Sequence, residues 1–207
     1  MSIKTKKIEI ILASASPRRH HLFNQMGIDF NVFPADIEEH VVGNLSPDEI
    51  VQDLARQKGE VVARQFSNSV IISADTIVTF NGEILGKPSS KDEAEAMLRQ
   101  LSGNEHAVYS GVYVALTADG KITDHITLFE RTNVIFSTLE DSEISRYVDS
   151  GSPMDKAGAY GIQDDAGALF VESIRGDYYN VVGFPMNAFY QTLKTKKQLL
   201  FKLIFES

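Results

Sequence analysis

A chain of 207 residues with 43% hydrophobic content is long enough to bury a sizeable core, and no apolar run in it approaches bilayer-spanning length. The absence of cysteine excludes disulfides, thiolate chemistry and cysteine-based zinc sites, leaving oxygen or histidine to hold any metal. A net charge of −8 argues against a general nucleic-acid binder and favours a small anionic ligand held by a local cluster of basic groups.

The N-terminus, Met1-Ser2-Ile3-Lys4-Thr5-Lys6-Lys7, leads into a short apolar stretch without a signal-peptide h-region. The cytoplasm is the expected compartment, with neither a membrane nor a nucleic-acid polymer as partner. Ile8 to Leu12 reads as a strand and His20 to Met26 as helix, joined by Ser14-Ala15-Ser16-Pro17-Arg18-Arg19. Small residues before a helix N-terminus make an anion pocket, because unpaired N–H groups and the positive dipole end point at the ligand. The plainer alternative makes Ser16 an N-cap, Pro17 the first helical residue and the arginines a solvated turn. Cations sit badly at a helix N-terminus, so two arginines there suggest a negative guest.

Phe30 to Phe33 reads as extended, and the acidic Glu38 and Glu39 follow Ala35-Asp36-Ile37. One of these carboxylates can join another in holding a hard divalent cation, or the cluster is a solvated loop. Ser46-Pro47-Asp48-Glu49 opens an amphipathic helix carrying Lys58, which projects either into a cleft or into solvent. Val70 to Ser73 predicts a buried strand ending before Asp75, a placement that lets a carboxylate bind metal or activate water. Thr76 to Phe80 and Glu83 to Leu85 flank Asn81-Gly82, the signature of a type I′ hairpin. Lys87 follows in Gly86-Lys87-Pro88, where it is either a phosphate ligand or an exposed loop lysine.

Ser90 to Leu101 predicts a capped helix, and Ala107 to Leu116 and Ile122 to Phe136 a second hairpin around Asp119-Gly120. Leu139 to Ser150 reads as helix. The glycine-rich run Gly151 to Gln163 makes either a pocket wall, with the Gln163 amide reading a pyrimidine edge, or a structural loop. Leu169 to Ile174 predicts a strand, and Pro185 onward a helix extending into the apolar tail Leu199 to Phe205. The five histidines lack metal-ligand spacing. Together the elements predict an α/β protein, with a twisted mixed β-sheet flanked by helices and two lobes around a central cleft.

Ser14 to Arg19, Ser73-Ala74-Asp75-Thr76, Gly86-Lys87-Pro88, Leu101-Ser102-Gly103-Asn104-Glu105-His106 and Asp155 to Gln163 together resemble the Maf family of nucleotide pyrophosphatases. Their order and spacing cover nearly the whole chain. The form Gly158-Ala159-Tyr160-Gly161-Ile162-Gln163 is similar to the dTTP/UTP branch. The resemblance implies a Maf/ITPase-like fold over 1–207, with an apolar helical tail at about 194–207. It also implies hydrolysis of a nucleoside triphosphate to monophosphate and pyrophosphate with Mg²⁺ or Mn²⁺. By the same resemblance Asp75 is the catalytic carboxylate and a metal ligand, and Glu39 assists with metal or water. Ser14, Arg18, Arg19, Lys58 and Lys87 engage phosphates, Thr76 lies beside the catalytic position, and Gln163 serves substrate recognition. Rival readings are a purine or 7-methyl-GTP preference, or a nucleotide-sensing regulator of septation. Tyr109-Ser110, Phe184-Pro185-Met186 and the tail depart from the commonest family pattern, and an apolar tail packs either in cis or at a homodimer interface.

Overall fold

In the computed structural model, which describes residues 8–164 and 166–206, alternating strand and helix signals resolve into one sheet of seven strands. The strands are β1 (Glu9–Leu12), β2 (Asn31–Val32), β3 (Ser69–Phe80), β4 (Glu83–Leu85), β5 (Glu105–Ala118), β6 (Lys121–Phe136) and β7 (Val171–Arg175). Their order is β2-β1-β3-β5-β6-β7, with β4 paired to β3. The β1–β2 and β1–β3 pairs are parallel and the rest antiparallel, so the sheet is mixed. The helices are α1 (Pro17–Gln25), α2 (Pro47–Ala63), α3 (Lys91–Leu101), α4 (Asp141–Asp149), α5 (Tyr178–Val182), α6 (Met186–Lys196) and α7 (Gln198–Phe205).

Strand periodicity divides β3 between two cores. Val70, Ile72, Ala74 and Val78 join the main hydrophobic cluster with residues of α1, α3, α4, α6 and α7, whereas Ile71 and Ile77 meet α2 on the opposite face. Asp75 shares the parity of Ile71 and Ile77 and so faces α2; Thr76 faces the other way. The helix comes very close to the sheet. A Cβ on Gly111 of β5 would stand 2.2 Å from the Val51 carbonyl oxygen, so only glycine admits the α2 backbone at this crossing.

The strand expected to end after Ser73 instead runs without a break through Asp75 to Phe80. Its partner explains the difference: β5 pairs with it from Val70↔Leu116 to Thr79↔Ala107, supplying a ladder that the local sequence does not reveal. The parallel strand β1 pairs only as far as Leu12↔Ile72. Beyond that point the chain turns away, leaving a crevice beside Asp75 and Thr76. The Asn81-Gly82 turn has the paired positive φ values of a type I′ hairpin, 50° and 84°.

The helix expected to run from Pro185 into the tail is broken at Lys197, whose φ of −141° and ψ of 63° separate α6 from α7. Leu200 and Ile204 of α7 are buried in the main cluster, packing this part of the tail in cis. Helix α5, absent from the sequence expectation, is capped by the Asp177 carboxylate, which accepts from Tyr179 N at 2.8 Å. Among the described residues no helix is long and apolar enough to cross a membrane.

Candidate functional site

The crevice beyond β1 is a cleft of about 680 Å³ lined by the Ser14–Arg19 turn, Glu39, Lys58, Asp75, Thr76, Lys87 and part of the 155–162 segment. A separate cavity of about 420 Å³ beside β1, β2 and α7 has no lysine or arginine in its wall among the described residues. Of the two, only the cleft matches a polyanion in charge.

Ser16 stands at the N-cap of α1 with Pro17 as first helical residue, as the plain reading required, and the two arginines point to different walls. Arg19 Nε donates to the Gly183 carbonyl at 2.9 Å, and its Nη2 donates to Thr76 Oγ1 at 3.1 Å. Its Nη1 reaches Ser14 Oγ at 3.4 Å, and that hydroxyl also accepts from Ser16 N. Thr76 Oγ1 lies 2.9 Å from Ser110 Oγ, which donates to the Asn180 carbonyl. Asn180 of α5 and Gly183 at its C-terminal cap thus supply the backbone oxygens that fix this polar chain. Arg18 Nη1 crosses the cleft to Asp155 Oδ2 at 3.1 Å.

On the sheet face toward α2, Lys58 Nζ donates to Asp75 Oδ1 at 2.5 Å and pairs with Glu39 Oε1 at 2.7 Å. Lys58 is half-buried and lies in register with the buried Val51, Leu54, Ala55 and Val62 of α2. Burial pushes the Asp75 carboxyl above its ordinary value of 3.8, and the charges of Lys58 and Arg19 oppose that shift only in part. Burial likewise lowers Arg19 from the ordinary guanidinium value, against the attraction of Asp75. An aspartate with a raised proton affinity beside fixed cations can take a proton from a water next to a phosphate.

The donor set also suits a hard cation. Asp75 and Glu39, from different elements, converge on a single point of positive charge, the Lys58 ammonium. Among the described residues no group of three or more acidic, histidine or cysteine side chains gathers to hold a metal. Two carboxylates match an ion that keeps several waters and shares the ligand's phosphates, as Mg²⁺ does.

The late glycine-rich segment is ordered by a buried network not anticipated from the sequence. Lys156, 8% exposed, donates to the Ser152 carbonyl and to Asp155 Oδ1, and lies 3.1 Å from Asp164 Oδ2. The same Asp164 oxygen accepts from Tyr147 and Ser152 hydroxyls at 3.0 and 2.7 Å. Burial would raise the Asp155 carboxyl, but Lys156 and Arg18 prevail and hold it below its ordinary value. Tyr160 lines the cleft and meets buried His106 Nε2 at 2.8 Å. With Asp164 turned inward, its neighbour Gln163 is exposed and outside the cleft lining, which is formed here by Tyr160, Gly161 and Ile162. The structure therefore brings together Ser14, Arg18, Arg19, Glu39, Lys58, Asp75, Thr76 and Lys87 but not Gln163.

Over residues 9–196 the chain matches the family model described as Maf-like protein. It is 47% identical over 186 residues to a Bacillus anthracis protein named dTTP/UTP pyrophosphatase, covering 90% of this chain and 94% of that one. A protein of the same name from Pelotomaculum thermopropionicum is 45% identical over 186 residues, covering 90% and 95%. Among solved structures, a nucleoside-triphosphatase / dITP/XTP pyrophosphatase from Mycobacterium abscessus overlaps 95% of this chain and 98% of its own, at 10% identity and a TM-score of 0.41.

Proposed function

The chain belongs to the Maf family, and from that premise we propose that it is a dTTP/UTP pyrophosphatase that releases pyrophosphate and the nucleoside monophosphate. The observation that carries this reading is the convergence of Asp75, Glu39 and Lys58 beside a helix N-terminus bearing Arg18 and Arg19. Relatives 45–47% identical along nearly their whole length carry the name dTTP/UTP pyrophosphatase.

The Ser14–Arg19 turn, Arg18, Arg19 and Lys87 bind the polyphosphate. Asp75 accepts a proton from the water that attacks the α-phosphorus, the α–β bridging bond breaks, and the pyrophosphate leaves against the cations. Asp75 and Glu39 would hold a Mg²⁺ or Mn²⁺ ion, which would supply further neutralisation of the phosphate oxygens. Thr76 keeps Arg19 in place through their hydrogen bond.

Pyrophosphate release measured with Mg²⁺ across a nucleotide panel tests the assignment. We expect dTTP and UTP to lead, and Asp75→Asn to lose about 100-fold or more in turnover while circular dichroism stays native. Full activity in that variant overturns the role of Asp75. A preference for purine or 7-methylated nucleotides overturns the substrate, and tight nucleotide binding without product favours a sensor.

A further inference from the structure

Lys58 stands where a cation shared by Asp75 and Glu39 would stand. Its Nζ is 2.5 Å from one carboxylate and 2.7 Å from the other, and its side chain is only 15% exposed. Arg18 is likewise paired across the cleft, with Asp155, whose second oxygen accepts from Lys156. Two of the cations facing the cleft are therefore already neutralised by carboxylates of the chain itself.

A divalent ion arriving alone meets two carboxylates that already share an ammonium. To bind both, it must expel Lys58 and leave a largely buried lysine without a counter-charge, which is costly. A nucleoside triphosphate removes that obstacle because it brings phosphate oxygens for the displaced ammonium. The flexible four-carbon stem of lysine allows a short transfer from carboxylate to phosphate.

We infer that Lys58 enforces joint binding: it acts as a stand-in cation in the free cleft and yields to the divalent ion only when the nucleotide arrives with it. The inference rests on the proposed metal-assisted pyrophosphatase activity. It assigns Lys58 a role in the order of binding, in addition to phosphate contact. By linkage, whatever factor the nucleotide adds to metal affinity, the metal must add to nucleotide affinity.

Electron paramagnetic resonance of free Mn²⁺ tests this without turnover. With wild-type protein alone at mildly alkaline pH, the free-ion signal should match buffer. With the non-hydrolysable α,β-methylene analogue of dTTP, the protein should deplete the signal well beyond the analogue by itself. Lys58→Met should bind Mn²⁺ without nucleotide about tenfold or more tightly than wild type, and Lys58→Arg, which keeps the charge, should not. Thermal melts establish that the variants are folded, and the wild-type measurements stand if Lys58→Met is not. Wild-type protein binding Mn²⁺ equally well with and without the analogue, or a folded Lys58→Met with no gain, overturns the inference. Pyrophosphate release from dTTP by wild-type protein separates the two claims: turnover with tight nucleotide-independent Mn²⁺ binding defeats joint binding alone, and absent turnover defeats the activity.

Discussion

Asp75 combines two demands that oppose each other at a single residue. Burial raises its proton affinity, which suits a base, while Lys58 and Arg19 limit that rise and keep the charged form accessible. The identity of these groups is readable in the sequence, but the spacing of Lys58 along α2 left it open between cleft and solvent, and the structure turns it to the cleft. The bond between Lys58 and Asp75 is not readable, because it spans two elements that meet only through the sheet. His106 illustrates the opposite case, a histidine in a family motif that is packed for structure. It is buried against Phe136 and Tyr160, its Nδ1 has no hydrogen-bond partner among the described residues, and burial lowers its pKa from 6.5 to about 4. Between those two values the unfolded chain binds a proton that the folded chain refuses. The stability present above 6.5 is therefore lost as the pH falls through about 4, by an amount on the order of 3 kcal/mol. Urea unfolding across that window should show a steeper acid loss for wild type than for His106→Gln, and equal slopes would remove His106 from the account.

At the scale of elements, short-range signals were legible and long-range pairing was not. Asn81-Gly82 specified its hairpin because both residues tolerate positive φ, a property held within the turn itself. The continuity of β3 through Asp75 depends on β5, more than thirty residues later in the chain. Helix α5 is five residues long and contains two valines and two tyrosines, too short to display a helical period and poor in helix propensity. Gln163 stands exposed outside the cleft lining, beside an Asp164 that bonds to Tyr147, Ser152 and Lys156, contacts between segments that the local sequence does not reveal. The contact between α2 and the sheet gives the element scale its test. A methyl group on Gly111 would overlap the Val51 carbonyl, at 2.2 Å from its oxygen, and a helical backbone cannot step aside as a side chain can. Gly111→Ala should lift α2, withdraw Lys58 from Asp75 and cost about 3 kcal/mol. Chemical unfolding should report the lower stability, and pyrophosphate release should fall even at temperatures where the variant remains folded.

For the whole molecule, the cleft draws on both faces of the sheet, Asp75 toward α2 and Thr76 away from it, whereas the main core lies on one face alone. Helix α2 covers one side and carries Lys58, while most of the apolar mass, including α6 and α7, lies on the other. The tail is the part whose role the sequence left open, because Leu199 to Phe205 is apolar at every position but Lys202 and so does not declare which partner covers it. The family match stops at residue 196, yet Leu200 beyond it is fully buried and Ile204 is 5% exposed in the same cluster as Phe184 and Phe189. Rings from α6 and α7 also meet, Tyr190 with Phe201 at 5.1 Å and Phe189 with Phe205 at 5.8 Å. Removing a buried leucine side chain forfeits its transfer energy and leaves a cavity that the neighbouring aromatics fill only partly. Leu200→Ala should therefore destabilise the protein by about 2–5 kcal/mol. Since neither α6 nor α7 contributes to the cleft lining, turnover of the folded variant should match wild type. This pairing of a lowered melting temperature with unchanged turnover distinguishes a tail that completes the core from one that shapes the site. A wild-type melting temperature would show that α7 contributes nothing to the core, and a loss of turnover at temperatures where the variant is folded would show that the tail and the cleft are coupled.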